Sequence, residues 1–193
     1  PNSGAFVNTS KSHASIELNG ASGGSSINFR TASSNNTAST LHMTIDSAGH
    51  VTIPAQPAFL ARPSVGENQN FSTNTANTVA FGTQVFDNNG DYAPSTFTAP
   101  VSGRYHFDVK CYLTTLDSAA SWYEVYLYTS NRTYYDVLSP NQFAGDIAYW
   151  NMGLSVLADM DANDTVYVAI RQQGGTAQTD VNGVSFFSGH LVA

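Results

Sequence analysis

Three carboxylates crowd one short stretch of this chain. "DMDANDT" holds Asp159, Asp161 and Asp164, hard oxygen ligands of the kind that take calcium. A calcium loop of the helix–loop–helix type needs Gly at its sixth position and Glu at its twelfth. Counted from Asp159, those places hold Asp164 and Ile170, so the stretch reads as a polar turn. The histidines are His13, His42, His50, His106 and His190, and none stands at the spacing of a metal-binding pair. Nor does the chain carry a G-x-S-x-G elbow, a phosphate loop or an H-E-x-x-H helix. Its 14 acidic residues are not framed as a general acid and base. The reading is a protein that is not an enzyme, with no catalytic residue, no metal and no cofactor.

What remains is recognition chemistry. Three segments are rich in amides and hydroxyls: "TTLDSAAS" at 114–121, "SPNQFAGD" at 139–146 and "QQGGTAQTDVNG" at 172–183. If the last strand runs down to the base of a domain, the loop before it lies at the free end. Alternating strands then bring the other two segments to the same end. The candidate binding residues are Asp117, Gln142, Phe143, Asp146, Gln173, Gln178 and Asp180. Amide and carboxylate groups beside an aromatic ring suit a sugar, with Phe143 as the stacking platform. Loops on a rigid scaffold are where binding tends to sit.

The elements that would hold those loops are strands. From about residue 57 onward, short aromatic runs follow one another: "TVAFGTQVF", "STFTAP", "GRYHFDVKCYL", "SWYEVYLYT", "TYYDVL", "AYWNMGLSVLA", "DTVYVAI" and "VSFFSGHLVA". Gly, Asn, Asp, Pro and Ser clusters separate them, and no window shows a helical period. This pattern predicts an all-β sandwich or barrel. In "GRYHFDVKCYL" the alternation places Tyr105, Phe107, Val109, Cys111 and Leu113 on the core face. "SWYEVYLYT" is apolar on both faces, with Tyr123, Val125 and Leu127 opposed by Trp122, Tyr126 and Tyr128. Such a strand needs cover on both sides, and a neighbouring subunit would supply the second.

Residues 1–54 differ in character, being dominated by Ser, Asn, Gly and Thr. Period-two patterns still surface in "SIELNG", "SINFRT" and "LHMTIDSAGHVTI", while "GGSS" at 23–26 reads as a turn. Each strand offers only two or three apolar side chains, too few for a sheet stable alone. Copies packed around an axis would bury those faces. The expectation is a β-rich fibre stem over 1–54 and a head over 55–193.

Composition narrows the partners. Of 193 residues only 11% are charged, against roughly 25% in ordinary globular domains. A net charge of −7 without a basic cluster argues against nucleic acid. Apolar runs are too short to insert in a membrane, and no signal or lipidation motif is visible. The single cysteine, Cys111, excludes an intrachain disulfide. The chain opens on Pro1 rather than Met, as a fragment or processed product does.

The order "FDNNGDY", "FTAPVSGRYHF" and closing "FSGHLV" resembles the globular head of the complement C1q family, a ten-stranded jelly roll shared with tumour necrosis factor. The likeness spans about 57–193. It implies a compact homotrimer with both termini at the base. Related heads can bind calcium near the trimer axis, and no residue here matches a ligand motif for it. "RTASSNNTAS" and "LHMTIDSAGHVTIPAQPAFLA" ahead of this head resemble the C-terminal part of fibre proteins of tailed bacteriophages, marine and cyanobacterial ones above all. This second resemblance implies a virion protein, on tail or head, assembled in the host cytoplasm. Its stem would join other virion proteins, and its head would bind a host-surface receptor, glycan or protein. The alternative is a capsid-decoration or assembly protein whose head only trimerises. A secreted complement or cytokine ligand fits less well, because the Gly-X-Y triplets of a collagen stem are missing.

Overall fold

The computed structural model describes residues 14–21, 24–33, 38–64 and 68–193. Contacts divide the chain into two units, 1–56 and 57–193.

The first unit is an antiparallel meander of β1 (Ala14–Ala21), β2 (Gly24–Thr31), β3 (Thr40–Ile45) and β4 (Val51–Thr52), in that spatial order. Register lines Ile16 up with Phe29 and Met43, and Leu18 with Ile27, Ile45 and Val51. The polar face has its own bonds. Arg30 stands 3.7 Å from Glu17, and Thr44 donates to Asn28 at 2.9 Å. The "GGSS" turn needs correction: Gly24, Ser25 and Ser26 are strand residues paired with Ala21, Gly20 and Asn19, while Gly23 lies outside the described residues. Between β3 and β4, Asp46 accepts the amides of Ala48 and His50, each at 2.9 Å. Its carboxyl is held below the usual value, first by the His50 side chain and then by the His50 amide.

The second unit is a two-sheet sandwich. One sheet runs β13 (Thr133–Leu138), β12 (Ala120–Thr129), β15 (Thr165–Gly174), β10 (Thr96–Thr98) and β9 (Tyr92–Ala93), with β7 (Ala76–Thr78) also on β15. The other runs β6 (Asn68–Asn70), β16 (Asp180–Asn182), β11 (Gly103–Leu116), β17 (Phe186–Leu191), β5 (Ala58–Arg62) and β8 (Thr83–Asp87). In the same sheet β14 (Ile147–Met160) pairs with the other edge of β11, from Gly103 to Leu116. Among the described residues no helix is long and apolar enough to cross a membrane.

The core follows the alternation. Tyr105, Phe107, Val109, Cys111 and Leu113 of β11 all point inward and are buried. The Tyr105 hydroxyl, which would otherwise be stranded in an apolar interior, donates to the Val101 carbonyl at 2.8 Å. Phe59 is the hub, its ring 4.7 Å from Tyr92, 5.0 Å from Phe97 and 4.9 Å from Phe187. Gly189 passes beneath this cluster. A Cβ there would stand 2.4 Å from Phe107 and 2.9 Å from Phe59, so the "FSG" of the last strand reflects packing.

Two sequence expectations change. "TVAFGTQVF" is not one strand. Its start belongs to β7 in the first sheet and its end to β8 in the second. Val79 and Phe81 bridge the sheets through the core, both fully buried. The outward tyrosines of β12 also cover one another in part. Tyr126 and Tyr128 stack at 5.1 Å, and Tyr167 extends the stack from β15 at 5.2 Å.

Strand direction defines two poles of the sandwich. Gly103 pairs with Met160, the Arg104 amide donates to the Ala193 carbonyl at 2.7 Å, and the Leu191 amide donates to Pro57 at 3.0 Å. The unit's two ends therefore share one pole. β11 runs from there to the opposite pole, where Leu116 pairs with Ile147.

Candidate functional site

The opposite pole gathers the connections after β11, β13 and β15. Asp117 begins the first. Its Oδ1 accepts the Ala119 amide at 2.8 Å, and its Oδ2 accepts the amides of Thr176 and Ala177, the latter at 2.8 Å. The Thr176 hydroxyl adds a longer contact of 3.4 Å. Ser118 ties the same turn to the second loop, donating through its amide (2.9 Å) and hydroxyl (2.8 Å) to Asp146 Oδ1. Tyr123 carries the network into the core. Its hydroxyl receives the Asp117 amide at 2.9 Å and meets the Thr179 hydroxyl at 2.7 Å.

Electrostatics at Asp117 balance two effects. Burial, the larger single influence, pushes the carboxyl up. The hydrogen bonds from Ala177, Ala119 and Thr176 together outweigh it, and the group ends below its ordinary value of 3.8. At 2% exposure Asp117 is a latch between two loops and presents no free oxygen outward. Gly175 makes room for it. With φ at +95°, its backbone favours glycine, and a Cβ would lie 2.6 Å from Asp117 Oδ2.

The other candidates divide by exposure. Gln142, Asp146 and Gln178 are exposed, while Phe143, Gln173 and Asp180 are half-buried. The Phe143 ring leans on Trp150 at 5.2 Å and packs against the core edge, so it is an anchor more than an open platform. Gln178 donates to Asn70 Oδ1 at 2.6 Å. Gln173 donates to Asn74 Oδ1 at 2.9 Å and also accepts from Arg171. Asp180 pairs with Thr114 and with Asn70 across its two neighbouring strands.

Sequence reasoning missed a fourth contributor, residues 70–74. The Asn74 amide donates to the Gln172 carbonyl at 2.7 Å, and its Oδ1 accepts the Gly174 amide at 2.8 Å. Asn74 has φ +64°, a conformation Asn tolerates better than most residues. "STNTAN" therefore held a turn signal, without saying where the turn docks. Trp122, 37% exposed, pairs with Gln173 across the β12–β15 rungs and brings an indole to the same end.

The remaining groups have structural partners. Arg132 holds both Asp159 oxygens, at 3.1 and 2.9 Å, and Asp164 caps the Asp161 amide at 2.8 Å, so "DMDANDT" is a turn. His42 meets Thr31 at 2.6 Å and His106 meets Ser155 at 2.9 Å. His13 lies outside the described residues. Among the described residues no group of three or more His, Cys, Asp or Glu is placed to hold a metal ion.

Comparison with known proteins gives the sandwich its relatives. No curated protein sequence matches the chain. The globular domain of zebrafish complement 1qA protein is similar in fold, at 17% identity and a TM-score of 0.54, covering 72% of this chain and 98% of that one. Murine APRIL at pH 5.0 is similar at 12% identity and a TM-score of 0.50, covering 71% and 99%. The C1q domain model matches residues 58–192, the span of the sandwich from its first strand to its last. With that match taking in the whole jelly roll, the chain belongs to the C1q domain family.

Proposed function

We propose that this chain is the distal part of a trimeric virion fibre or spike of a tailed bacteriophage, and that its head binds a host-surface glycan. The observation that carries the proposal is the convergence of three loops and residues 70–74 at the pole opposite Pro57 and Ala193. That pole presents the exposed Gln142, Asp146 and Gln178 beside the half-exposed Trp122. Amides, one carboxylate and an indole recognise a polyhydroxylated ligand without needing a strong field. Supporting the trimer, Tyr149 and Leu157 stand 62% and 56% exposed on the outer face of β14, where a neighbouring head would cover them. Three copies raise the avidity of weak single sites. The viral context rests on the likeness of residues 30–61 to phage fibre proteins.

One observation favours the purely structural reading. Asp117 accepts the Ala177 amide, and Gln172 donates to the Ala177 carbonyl and accepts the Thr179 amide, so these polar groups are satisfied within the pole, as they would be in a head that only closes an assembly. The two readings part on Gln142→Ala combined with Gln178→Ala, two exposed side chains outside that latch. Fluorescently labelled full chain is applied to candidate bacterial hosts, with molar mass followed by light scattering. Receptor binding predicts cell staining lost at least about tenfold, with mass still three times the 20.6 kDa chain. Staining that survives the double substitution overturns this pole as the binding site, and a trimeric wild type that stains no host overturns receptor binding in favour of the structural reading.

A further inference from the structure

The sheet of the first unit is amphipathic, and the described residues do not cover its apolar face. Ile16 and Leu18 stand 60% and 74% exposed on β1, and Val51 stands 54% exposed on β4. Between them run Ile27 and Phe29 of β2 and Met43 and Ile45 of β3, joined by register into two continuous apolar rows. The charged side chains of these strands, Glu17 and Arg30, stand on the other face, where they face each other. Polar cross-strand bonds such as Thr44 to Asn28 lie there too.

We propose that this face is a self-association surface, closed by the same face of two further copies around a threefold axis. The inference rests on the reading of residues 1–54 as a stem, and it names the seam.

Several features select copies of this chain as the occupant. Among the described residues the face carries no Asp, Glu, Lys or Arg, and its one imidazole, His42 at the Ile16–Phe29 end, is hydrogen-bonded to Thr31 at 2.6 Å, so packing it on itself buries no unpaired carboxylate, ammonium or guanidinium. Its edges are a long strand, β1, and a very short one, β4, and unpaired strand edges are a hazard that a closed ring removes. Strand spacing and rise give a face of roughly 400 Å² in projection. One facing pair would bury roughly 800 Å², while three copies bury roughly 1,200 Å² over the whole assembly, shared among three contacts. A head-to-tail contact that repeats by a third of a turn closes on itself with no free surface.

The test uses the full chain and one introduced thiol. Cys111 is the sole native cysteine and is fully buried, so it stays out of the reaction. Ile27→Cys, on the inner strand β2, puts a thiol at the middle of the apolar face, and Asn28→Cys puts one on the polar face of the same strand. Each variant is oxidised with copper–phenanthroline and read by non-reducing electrophoresis. In the proposed arrangement the three thiols introduced by Ile27→Cys, one from each copy, meet near the axis. Disulfide dimer then forms fast and stops at roughly two-thirds of the chains, because three thiols leave one unpaired. Asn28→Cys should stay monomeric over the same time. Ile45→Cys, beside Ile27 on β3 and on the same face, repeats the test if Ile27→Cys folds poorly.

No cross-link from either apolar-face variant would mean that something other than a second copy covers the face, and would overturn the proposal. Equal rates on both faces would mean random collision and would overturn it too. Complete conversion to dimer would mean a twofold pair and refute the threefold seam. None of these readouts involves the head loops, so failure here and failure of receptor binding are told apart by staining cells with the same thiol variants before oxidation.

Discussion

At the residue scale, Asp117 does the most to shape the free pole. It collects donors from Ala119, Thr176 and Ala177, the latter two far along the chain. Asp117→Ala takes the acceptor from three part-buried amide bonds, and should lower stability by about 1–3 kcal/mol at pH 7 by urea unfolding. The pH dependence has a definite sign. The folded carboxyl sits below its ordinary value, so its stabilising effect is complete above the unfolded value of about 4 and is lost as pH falls through the lower folded one. The gap between wild type and Asp117→Ala should therefore narrow in acid. Gly175→Ala intrudes on the same carboxylate. Combined with Asp117→Ala it should fall short of additivity by more than about 0.5 kcal/mol. "TTLDSAAS" told that a polar turn sits here, but not that its acid turns inward, because hydrogen bonds across such sequence separations leave no local trace. Phe143 misled in the same way. Its ring looks available in "SPNQFAGD" until Trp150, fixed in β14, arrives beside it.

At the element scale, period-two alternation made β11, β12, β14 and β15 legible, since each buries one face along its whole length. It failed at "TVAFGTQVF", where alternation continues through a crossing between sheets. Val79 and Phe81 are buried whichever sheet claims them, so the pattern cannot register the change of partner. It also could not show that the outward tyrosines of β12 find cover in Tyr167. That stack has a consequence in alkali. Burial, reinforced by the Glu124 carboxylate, pushes the Tyr126 phenol up to about 12, and burial also raises Tyr92, Tyr105, Tyr123 and Tyr128. Groups raised on folding contribute stability that is whole below the unfolded value of about 10 and is lost as pH climbs through the folded one. Thermal melts should be level up to about pH 10 and fall steeply toward about 12, with a shallower fall in Tyr126→Phe. On β17, Gly189→Ala drives a methyl into Phe107 and Phe59, and should cost about 1–3 kcal/mol by the same urea assay.

At the scale of the whole molecule, the family follows from the sandwich over 58–192, and much of that was readable in "FTAPVSGRYHF" and "FSGHLV". The pole opposite the termini could be anticipated from strand direction alone. Its fourth part could not, because residues 70–74 reach it through pairings of β6 and β7 with strands some hundred positions away. The low charge of the chain makes a further prediction. Recognition by amides and an indole should be nearly insensitive to salt, with affinity changing less than about threefold between roughly 0.05 and 0.5 M. An acidic patch gripping a cationic ligand would lose far more. The measurement that reaches the central claim most directly is binding of the labelled full chain to a glycan array, beside the Gln142→Ala, Gln178→Ala double variant. A defined set of glycans bound by the wild type and lost by the variant, with molar mass unchanged, is the predicted result. Binding that ignores the double substitution, or no glycan bound at all, would contradict a glycan-binding head.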